Sequence, residues 1–365
     1  MNRRLALIGG GALAVAGVGA AFAGRRQMGS TEDYDASIAA SRATLPQAPA
    51  MLDLIRFATL AANGHNTQPW RFRATSDRIE ILPDFARRTP VVDPDDHHLF
   101  ASLGCAAENL ALAAAARGRA GELSFNPAND GSVVFAFGSG PAIGSALFDA
   151  IPRRQSTRAE YDGRTVSAAD LQTLTEAAAV PGVDLVLITD RPQMDQLRDL
   201  VVAGNSAQMA DAAFVRELKT WLRFNPRQAM ETGDGLFSAA TGNPTIPAWL
   251  GPLMFDWFVG ADAENDKYAR HLRSSAGVAV FVSQHADREH WFRTGRACQR
   301  FALQATALGL KHAFINQPVE VAKLRPQLAA LVGLAGRRPD IVMRFGYGPA
   351  LPFSSRRPVG STMIS

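Results

Sequence analysis

The hydrophobic positions of this chain switch between helical and strand-like spacing, and they predict a mixed α and β fold. Residues 51–60 form an apolar run whose large side chains recur on one stripe, which predicts a helix. The alternating stretch Ile-Glu-Ile-Leu at residues 79–82 predicts a strand. A further helix is predicted over residues 167–179. Elements of both kinds therefore follow one another along the chain.

A tight loop joins the first predicted helix to the strand that follows. Asn63 and Gly64 form a helix-stop and turn signal, and the proline at position 69 favours an extended conformation at Gln68. Such a loop carries amide side chains and free backbone N–H groups, which can hydrogen-bond the edge of a planar heterocycle while Trp70 anchors its base in the core. On these residues alone, a plain connection with a buried tryptophan is the simpler interpretation.

The chain also repeats itself. Residues 104–118 align without gaps on residues 295–309, and seven of the fifteen positions are identical. Residues 133–142 and 341–350 follow in the same order and share Phe-Gly-x-Gly-Pro-Ala. We therefore interpret the sequence as a tandem duplication. Each copy has a helix of small side chains, suited to close packing against another helix, and a strand that ends at a glycine.

Residues 1–30 have the composition of an export signal. Arg3 and Arg4 precede an apolar, glycine-rich run that ends near Ala23 and is followed by Arg25 and Arg26. An arginine pair followed by two aliphatic positions resembles a twin-arginine signal, which the twin-arginine export machinery would recognise. The chain is thus expected to be exported, to the periplasm or the cell envelope. Cleavage of the signal and its retention as a membrane anchor are both left open.

Charge and cysteine content narrow the function classes. The net charge is +4, but the leader holds four arginines and no acid, so the rest of the chain is near neutral and indicates no nucleic-acid partner. Cys105 and Cys298 stand singly in alanine-rich runs, and both are interpreted as small core residues. The Asp and His residues within positions 93–98 are interpreted as a helix cap, by Asp95 or Asp96, rather than as a metal site.

The loop sequence His-Asn-Thr-Gln-Pro-Trp at residues 65–70 resembles the flavin-contacting loop of the nitroreductase family, in its Acg-like branch with two fused halves. The common family form is Pro-Ser-x-x-Asn-x-Gln-Pro-Trp, and residues 62–64 depart from it because Ala-Asn-Gly stands where Pro-Ser-Ser is usual. Arg154, Ser156 and Arg158 form an Arg-x-Ser-x-Arg segment that resembles the family's first FMN-binding segment. The resemblance covers roughly residues 51–358.

The resemblance implies a set of FMN contacts. Arginines would hold the phosphate, and the loop and the segment after the second repeated helix would address the flavin ring. The implied cofactor-binding residues are Asn63, Gly64, Asn66, Gln68, Arg154, Ser156, Arg158, Gln317, Arg356 and Arg357. Which of the last two arginines points inward is open. The loop motif occurs only in the first copy and Arg-x-Ser-x-Arg only in the second, so the resemblance implies one FMN per chain and no catalytic protein residue.

The resemblance also implies the architecture. The predicted fold is α+β, with two fused nitroreductase-like halves that form an internal pseudo-dimer around a central helical interface. After the leader, residues 31–50 are predicted to be a tether, residues 51–150 the first half and residues 151–365 the second. Residues 225–266 are rich in turns and yet apolar, and they are predicted to be a lid over the site.

Two main functional hypotheses follow. The first is an FMN-dependent oxidoreductase that passes two electrons to an unknown small-molecule acceptor, with NAD(P)H as a candidate donor. The second is a storage protein that sequesters FMN beneath a closed lid without turnover. A flavin-free structural descendant is the third hypothesis. The chain is expected to be a pseudo-dimeric monomer, and a higher oligomer is left open.

Overall fold

The structure is a computed structural model that describes residues 28–128, 130–258 and 260–364, so the predicted leader lies outside the described residues. Its helices are α1 Thr31–Ser41, α2 Met51–Thr59, α3 His97–Ala115, α4 Ala146–Ala150, α5 Ala168–Ala177, α6 Arg191–Ala210, α7 Ala212–Thr220, α8 Pro226–Thr232, α9 Gly251–Phe258, α10 Ala261–Arg273, α11 Arg288–Ala307, α12 Gln317–Glu320 and α13 Arg325–Leu331. Its strands are β1 Trp70–Ala74, β2 Arg78–Pro83, β3 Gly121–Asn126, β4 Ser132–Phe137, β5 Val183–Ile188, β6 Leu222–Arg223, β7 Leu236–Phe237, β8 Gly277–Ser283, β9 Lys311–Phe314 and β10 Pro339–Gly346.

Two four-stranded sheets have the same construction. Their strand orders are β1-β2-β4-β3 and β5-β8-β10-β9, and every neighbouring pair is antiparallel. In each, a helix precedes the first strand and a long helix connects the second strand to the third. The second sheet differs by an excursion, residues 189–276, between its first two strands. The chain is therefore an α+β protein, as predicted.

The predicted elements are present at the predicted places. The predicted helix at residues 51–60 is α2, and the predicted strand at residues 79–82 lies in β2. The predicted helix at residues 167–179 is α5. The repeated helices are α3 and α11, and the repeated strands are β4 and β10. By length and composition α3 is apolar enough to cross a membrane, but most of it is buried inside the protein.

The long helices α3 and α11 cross with their backbones in contact. A Cβ atom built on Gly104 would lie 2.0 Å from the carbonyl oxygen of Phe292, and one built on Gly295 would lie 1.8 Å from that of Ala101. Only a residue without a side chain fits at either position. Trp291 of α11 is buried in the core of the first sheet, while Ala101 of α3 belongs to the core of the second. The helix pair therefore joins the two cores.

Residues 31–50 differ from the predicted tether because their first half is the helix α1. The Ser30 hydroxyl accepts a hydrogen bond from the Asp33 N–H and caps that helix. Tyr34 and Ile38 are buried against Phe237 and its neighbours in the excursion. The sequence prediction misses the helix because two apolar residues one turn apart in a polar segment are too weak a pattern.

The cap of α3 also differs from the prediction. The Asp93 carboxylate, not that of Asp95 or Asp96, accepts hydrogen bonds from the backbone N–H groups of His98 and Leu99, at 3.0 and 3.1 Å. Asp96 has a left-handed backbone with φ of 62° and makes no side-chain cap bond. Asp93 can reach the start of the helix because the backbone turns at Asp96, and the spacing of residues in the sequence does not reveal that turn.

The close contact between α3 and α11 leads to a prediction about stability. Gly104→Ala should destabilise the protein by about 2–3 kcal/mol, because the new methyl group collides with a backbone carbonyl that cannot rotate away. Urea unfolding of the variant and the wild type measures the difference. Gly144→Ala is the control, since a Cβ atom there meets nothing within 4 Å. Equal unfolding midpoints for all three proteins would contradict the backbone contact.

Candidate cofactor site

The loop between α2 and β1 has an unusual backbone. His65, Asn66 and Gln68 all lie in the left-handed region, with φ of 47°, 54° and 52°. Each such residue costs on the order of 1 kcal/mol, and strain of this kind clusters at functional sites. The expectation of an extended Gln68 is therefore wrong. The Asn63 Oδ1 atom holds the turn by accepting the Gln68 N–H at 2.9 Å, and Trp70 is fully buried, as predicted.

A cavity of about 480 Å³ lies beside this loop. The loop contributes Asn63, Gly64 and His65 to its lining, and α3 contributes Ser102 and Cys105. A Cβ atom at Gly64 would meet nothing within 4 Å, so the loop backbone borders open space. The excursion contributes most of the apolar lining, namely Phe214, Leu218, Leu222, Phe224, Leu236, Ile246, Met254 and Phe255. Such a cavity suits a flat group with an apolar face and a polar edge.

A smaller cavity of about 40 Å³ adjoins the large one, with which it shares Asn63 and Arg158. Ser156 also lines it, and its described lining includes no acidic residue. It is surrounded by the arginine cluster, which we define as Arg42, Arg154, Arg158 and Arg356. Arg42 and Arg154 are buried and the other two arginines are partly buried. Arg42, Arg154 and Arg356 repel one another, and an anion would relieve this repulsion.

Burial acts strongly on the arginine cluster. It lowers the pKa of Arg154 to about 10 and that of Arg356 to about 9, because the charged form is disfavoured away from water. Burial, and then repulsion from its neighbours, holds the pKa of Arg42 well below its usual value. The Leu60 carbonyl at the end of α2 accepts from Arg154 Nη2 at 2.8 Å, yet the Nε atoms of Arg42 and Arg154 are buried without a partner. The donor set fits a phosphate group.

Asn66 lines the small cavity, and its side chain forms hydrogen bonds with other groups of the protein. Its Oδ1 atom accepts from Arg356 Nη1 at 2.9 Å, and its Nδ2 atom donates to the carbonyls of Gly235 and Ser355 at 3.0 and 3.1 Å. Asn66 therefore orients Arg356 and ties the loop to the excursion and to the closing segment. Of the two closing arginines, Arg356 is the one that lines the small cavity.

Gln68 and Arg357 lie behind the site and line neither cavity. The Gln68 Nε2 atom donates to the Gly233 carbonyl at 2.8 Å, and its Oε1 atom accepts the Arg357 N–H at 2.9 Å. The Arg357 guanidinium donates to the carbonyls of Gln68 and Ser361 at 3.2 and 3.1 Å. These polar groups are bonded to the protein and support the loop, and the cofactor contacts of both residues stay predictions.

Gln317 and Arg344 also line the large cavity. Gln317 begins α12 and lines the large cavity, and its Oε1 atom is buried without a hydrogen-bond partner. Arg344 of β10 donates to the Ala159 carbonyl at 2.8 Å and lies 4.1 Å from the centre of the Tyr161 ring. These contacts fix the segment that carries Arg158. The repeated strand in the first half has alanine at the position equivalent to Arg344.

Sequence reasoning misses Arg42 and gives Glu320 no role. Arg42 follows α1, and its Nη1 atom donates to the Pro152 carbonyl at 2.8 Å. A lone arginine in a polar segment does not indicate a binding site in the sequence.

Glu320 lines the large cavity, where Gln208 Nε2 donates to its carboxylate at 2.6 Å and His98 Nε2 lies 3.7 Å away. Burial raises the pKa of Glu320 to about 7, so this carboxyl can hold a proton beside the cavity near neutral pH.

Fold and site together define an α+β protein in which a cavity of about 480 Å³ adjoins a smaller cationic one. The profile of the nitroreductase family matches residues 151–348, more than half of the chain, so the chain belongs to the nitroreductase family. Rv3131 of Mycobacterium tuberculosis, named as a candidate NAD(P)H nitroreductase, is 28% identical over 330 residues, with 87% of this chain and 92% of the relative covered. Acg of the same organism, also named as a candidate NAD(P)H nitroreductase, is 25% identical over 323 residues, with 84% and 92% covered.

Solved nitroreductases align at lower similarity. The nitroreductase with bound FMN from Bacteroides fragilis is 16% identical and has a TM-score of 0.37, with 58% of this chain and 95% of that chain covered. The FMN-dependent nitroreductase NfnB from Mycobacterium smegmatis, solved in complex with NADPH, is 15% identical with a TM-score of 0.36, and 56% and 87% are covered.

Proposed function

We propose that the two cavities hold one FMN per chain and that the protein is an FMN-dependent oxidoreductase. The observation that carries this proposal is the junction at Arg158, where a cationic cavity of about 40 Å³ adjoins a cavity of about 480 Å³ whose lining combines apolar side chains with polar groups. The arginine cluster and Ser156 would hold the phosphate, because guanidinium groups match phosphate oxygens in geometry and charge.

The ring would lie against the strained loop. Asn63 and the backbone of Gly64 border the large cavity, and the Gln317 Oε1 atom there lacks a partner. Bound FMN would supply two-electron redox chemistry, and the protein would supply binding, orientation and exclusion of water. Glu320 would keep a proton available at the cavity wall. This chemistry requires no protein nucleophile.

A tandem duplication with an internal pseudo-dimer accounts for a single site. The shared order of the two sheets and the contact between their long helices support halves at residues 51–150 and 151–365. The large cavity is lined by Asn63 from the first half and Arg158 from the second. The opposite site lacks both motifs, since the first half has no Arg-x-Ser-x-Arg and the second has no Asn-x-Gln-Pro-Trp.

The phosphate assignment has a direct test. The double variant Arg154→Ala, Arg158→Ala should lose FMN, because each charged contact of this kind contributes about 1.5–3 kcal/mol. The FMN Kd should rise by a factor on the order of 100 or more. Titration of apoprotein with FMN, followed by flavin fluorescence, measures the change.

The matched control is Arg153→Ala. This neighbouring arginine is exposed, and its Nε atom donates to the Asp149 carbonyl within its own segment, so it should leave FMN affinity unchanged. Wild-type affinity in the double variant would overturn the phosphate assignment. An equal loss in the control would indicate a general charge effect instead.

The excursion favours a second candidate, an FMN-storage protein without turnover. Ile246, Met254 and Phe255 of the proposed lid, residues 225–266, border the large cavity with apolar side chains. A lid that stays closed would protect the flavin from an acceptor. In the oxidoreductase hypothesis, NAD(P)H would be the donor, as the names of the relatives suggest, and the acceptor would be a small molecule of unknown identity.

Opening the lid separates the two candidates. The double variant Met254→Ala, Phe255→Ala should raise NAD(P)H-dependent reduction of a nitroaromatic several-fold, because it removes apolar bulk from the cavity wall. Steady-state absorbance assays of FMN-loaded protein measure it. Trp257→Ala is the control, since that side chain is 77% exposed on the same helix. Absence of turnover in every variant would support storage.

We also propose export by the twin-arginine route, supported by the arginine pair and the apolar run of residues 1–30. Replacing Arg3 and Arg4 by lysine should leave the chain in the cytoplasm, because a twin-arginine signal is read by its arginine pair. Cell fractionation and immunoblotting measure the distribution. Lysine at Arg25 and Arg26 is the control and should still permit export. Export of both variants would argue for another route.

A further inference from the structure

The structure brings the two cysteines of the chain together. Cys105 lies in α3 and Cys298 in α11, at the crossing where two glycines let the helix backbones touch. The Cys105 thiol donates to the Gly295 carbonyl at 3.1 Å, one helical turn before Cys298. The two thiols are close enough to influence each other's charge, and both cysteines are buried and free.

The thiol pair borders the proposed flavin site. Cys105 lines the large cavity. Arg154 of the arginine cluster is close enough to interact electrostatically with both cysteines. Burial raises the pKa of the Cys298 thiol well above its usual value, and Cys298 does not line either cavity. Because Cys105 is the cysteine at the cavity wall, it is the one through which the pair would react.

Packing alone does not account for this pair. In the repeat, Cys105 aligns with Arg296 and Cys298 aligns with Ala107. The duplicated helix therefore does not require cysteine at either position, and alanine fills one of the equivalents. The cysteines stand at two different positions of the repeat, and they meet because the helices cross there. A crossing this close can also bring two Cα atoms within the 4.4–6.8 Å typical of a disulfide.

We propose that Cys105 and Cys298 are a dithiol–disulfide couple that exchanges two electrons with FMN, an inference that rests on the proposed function. On oxidation both S–H bonds break and one S–S bond forms, while two electrons and two protons pass to the oxidised flavin. Reduction is the reverse. The loaded chain then stores four electrons rather than two, and the disulfide joins the two halves covalently.

Reductive titration tests the exchange. Aerobically purified holoprotein, titrated with dithionite under anaerobic conditions and followed by flavin absorbance, should take up four electrons per FMN. Cys105→Ala and Cys298→Ala should each take up two. Alanine is the natural substitute here, since it already fills neighbouring positions of both helices.

A second readout is independent of flavin. Apoprotein is treated with an excess of an oxidised dithiol reagent, denatured, alkylated and weighed by mass spectrometry. The wild type should carry no alkyl group after oxidation and two after reduction, whereas each alanine variant carries one in both states. Two alkylated cysteines after oxidation would overturn the couple.

The two readouts separate the possible failures. If the disulfide forms but the wild-type holoprotein takes up only two electrons, exchange with the flavin is wrong. If no FMN binds, the proposed function and the flavin exchange both fail, and the alkyl count still decides whether the thiols pair. Four electrons together with a complete loss of alkylation supports the inference.

Discussion

The contact between α3 and α11 is the constraint on which the rest of this structure depends. Two glycine positions let the helix backbones touch, so the small residues around them form one continuous packed layer. Each helix then contributes side chains to the core of the other sheet. The loop that contains Asn63 and the segment that contains Arg158 consequently line the same large cavity.

A second constraint is the unbalanced charge of the arginine cluster. The carbonyls at the end of α2 accept several of its hydrogen bonds, but a helix C-terminus supplies only a partial negative charge. Buried cations with lowered pKa values raise the free energy of the folded protein, and an anion that pairs with them lowers it again. Arg42 extends this coupling to the chain after α1, because its guanidinium reaches the Pro152 carbonyl. Phosphate binding would therefore also stabilise the N-terminal segment.

Local and repeated patterns made much of the fold predictable. The helix α2, the strand β2 and the repeated helices follow from hydrophobic spacing, and the repeat itself indicates a twofold construction. The motif containing Arg154 and Arg158 is short and contiguous, so its two arginines could be recognised together. The structure brings both of them to the small cavity.

Features that depend on long-range contacts or on backbone conformation were not predictable in this way. Arg42 and Arg356 are separated by most of the chain and meet only in the folded protein. Gln68 belongs to a recognisable motif, yet its left-handed backbone places the side chain against Gly233 and Arg357 instead of the cavity. A motif identifies which residues share a segment, but the φ values decide which way each one faces.

The excursion explains why the two halves are not interchangeable. In the first sheet a short turn joins β1 to β2, whereas the second sheet inserts α6 to α10 at the equivalent connection. The inserted residues both line the large cavity and anchor the strained loop, since Gly233 and Gly235 accept hydrogen bonds from Gln68 and Asn66. A loop with three left-handed residues needs such external support to persist. The insertion into the second sheet thus stabilises the loop that precedes the first sheet.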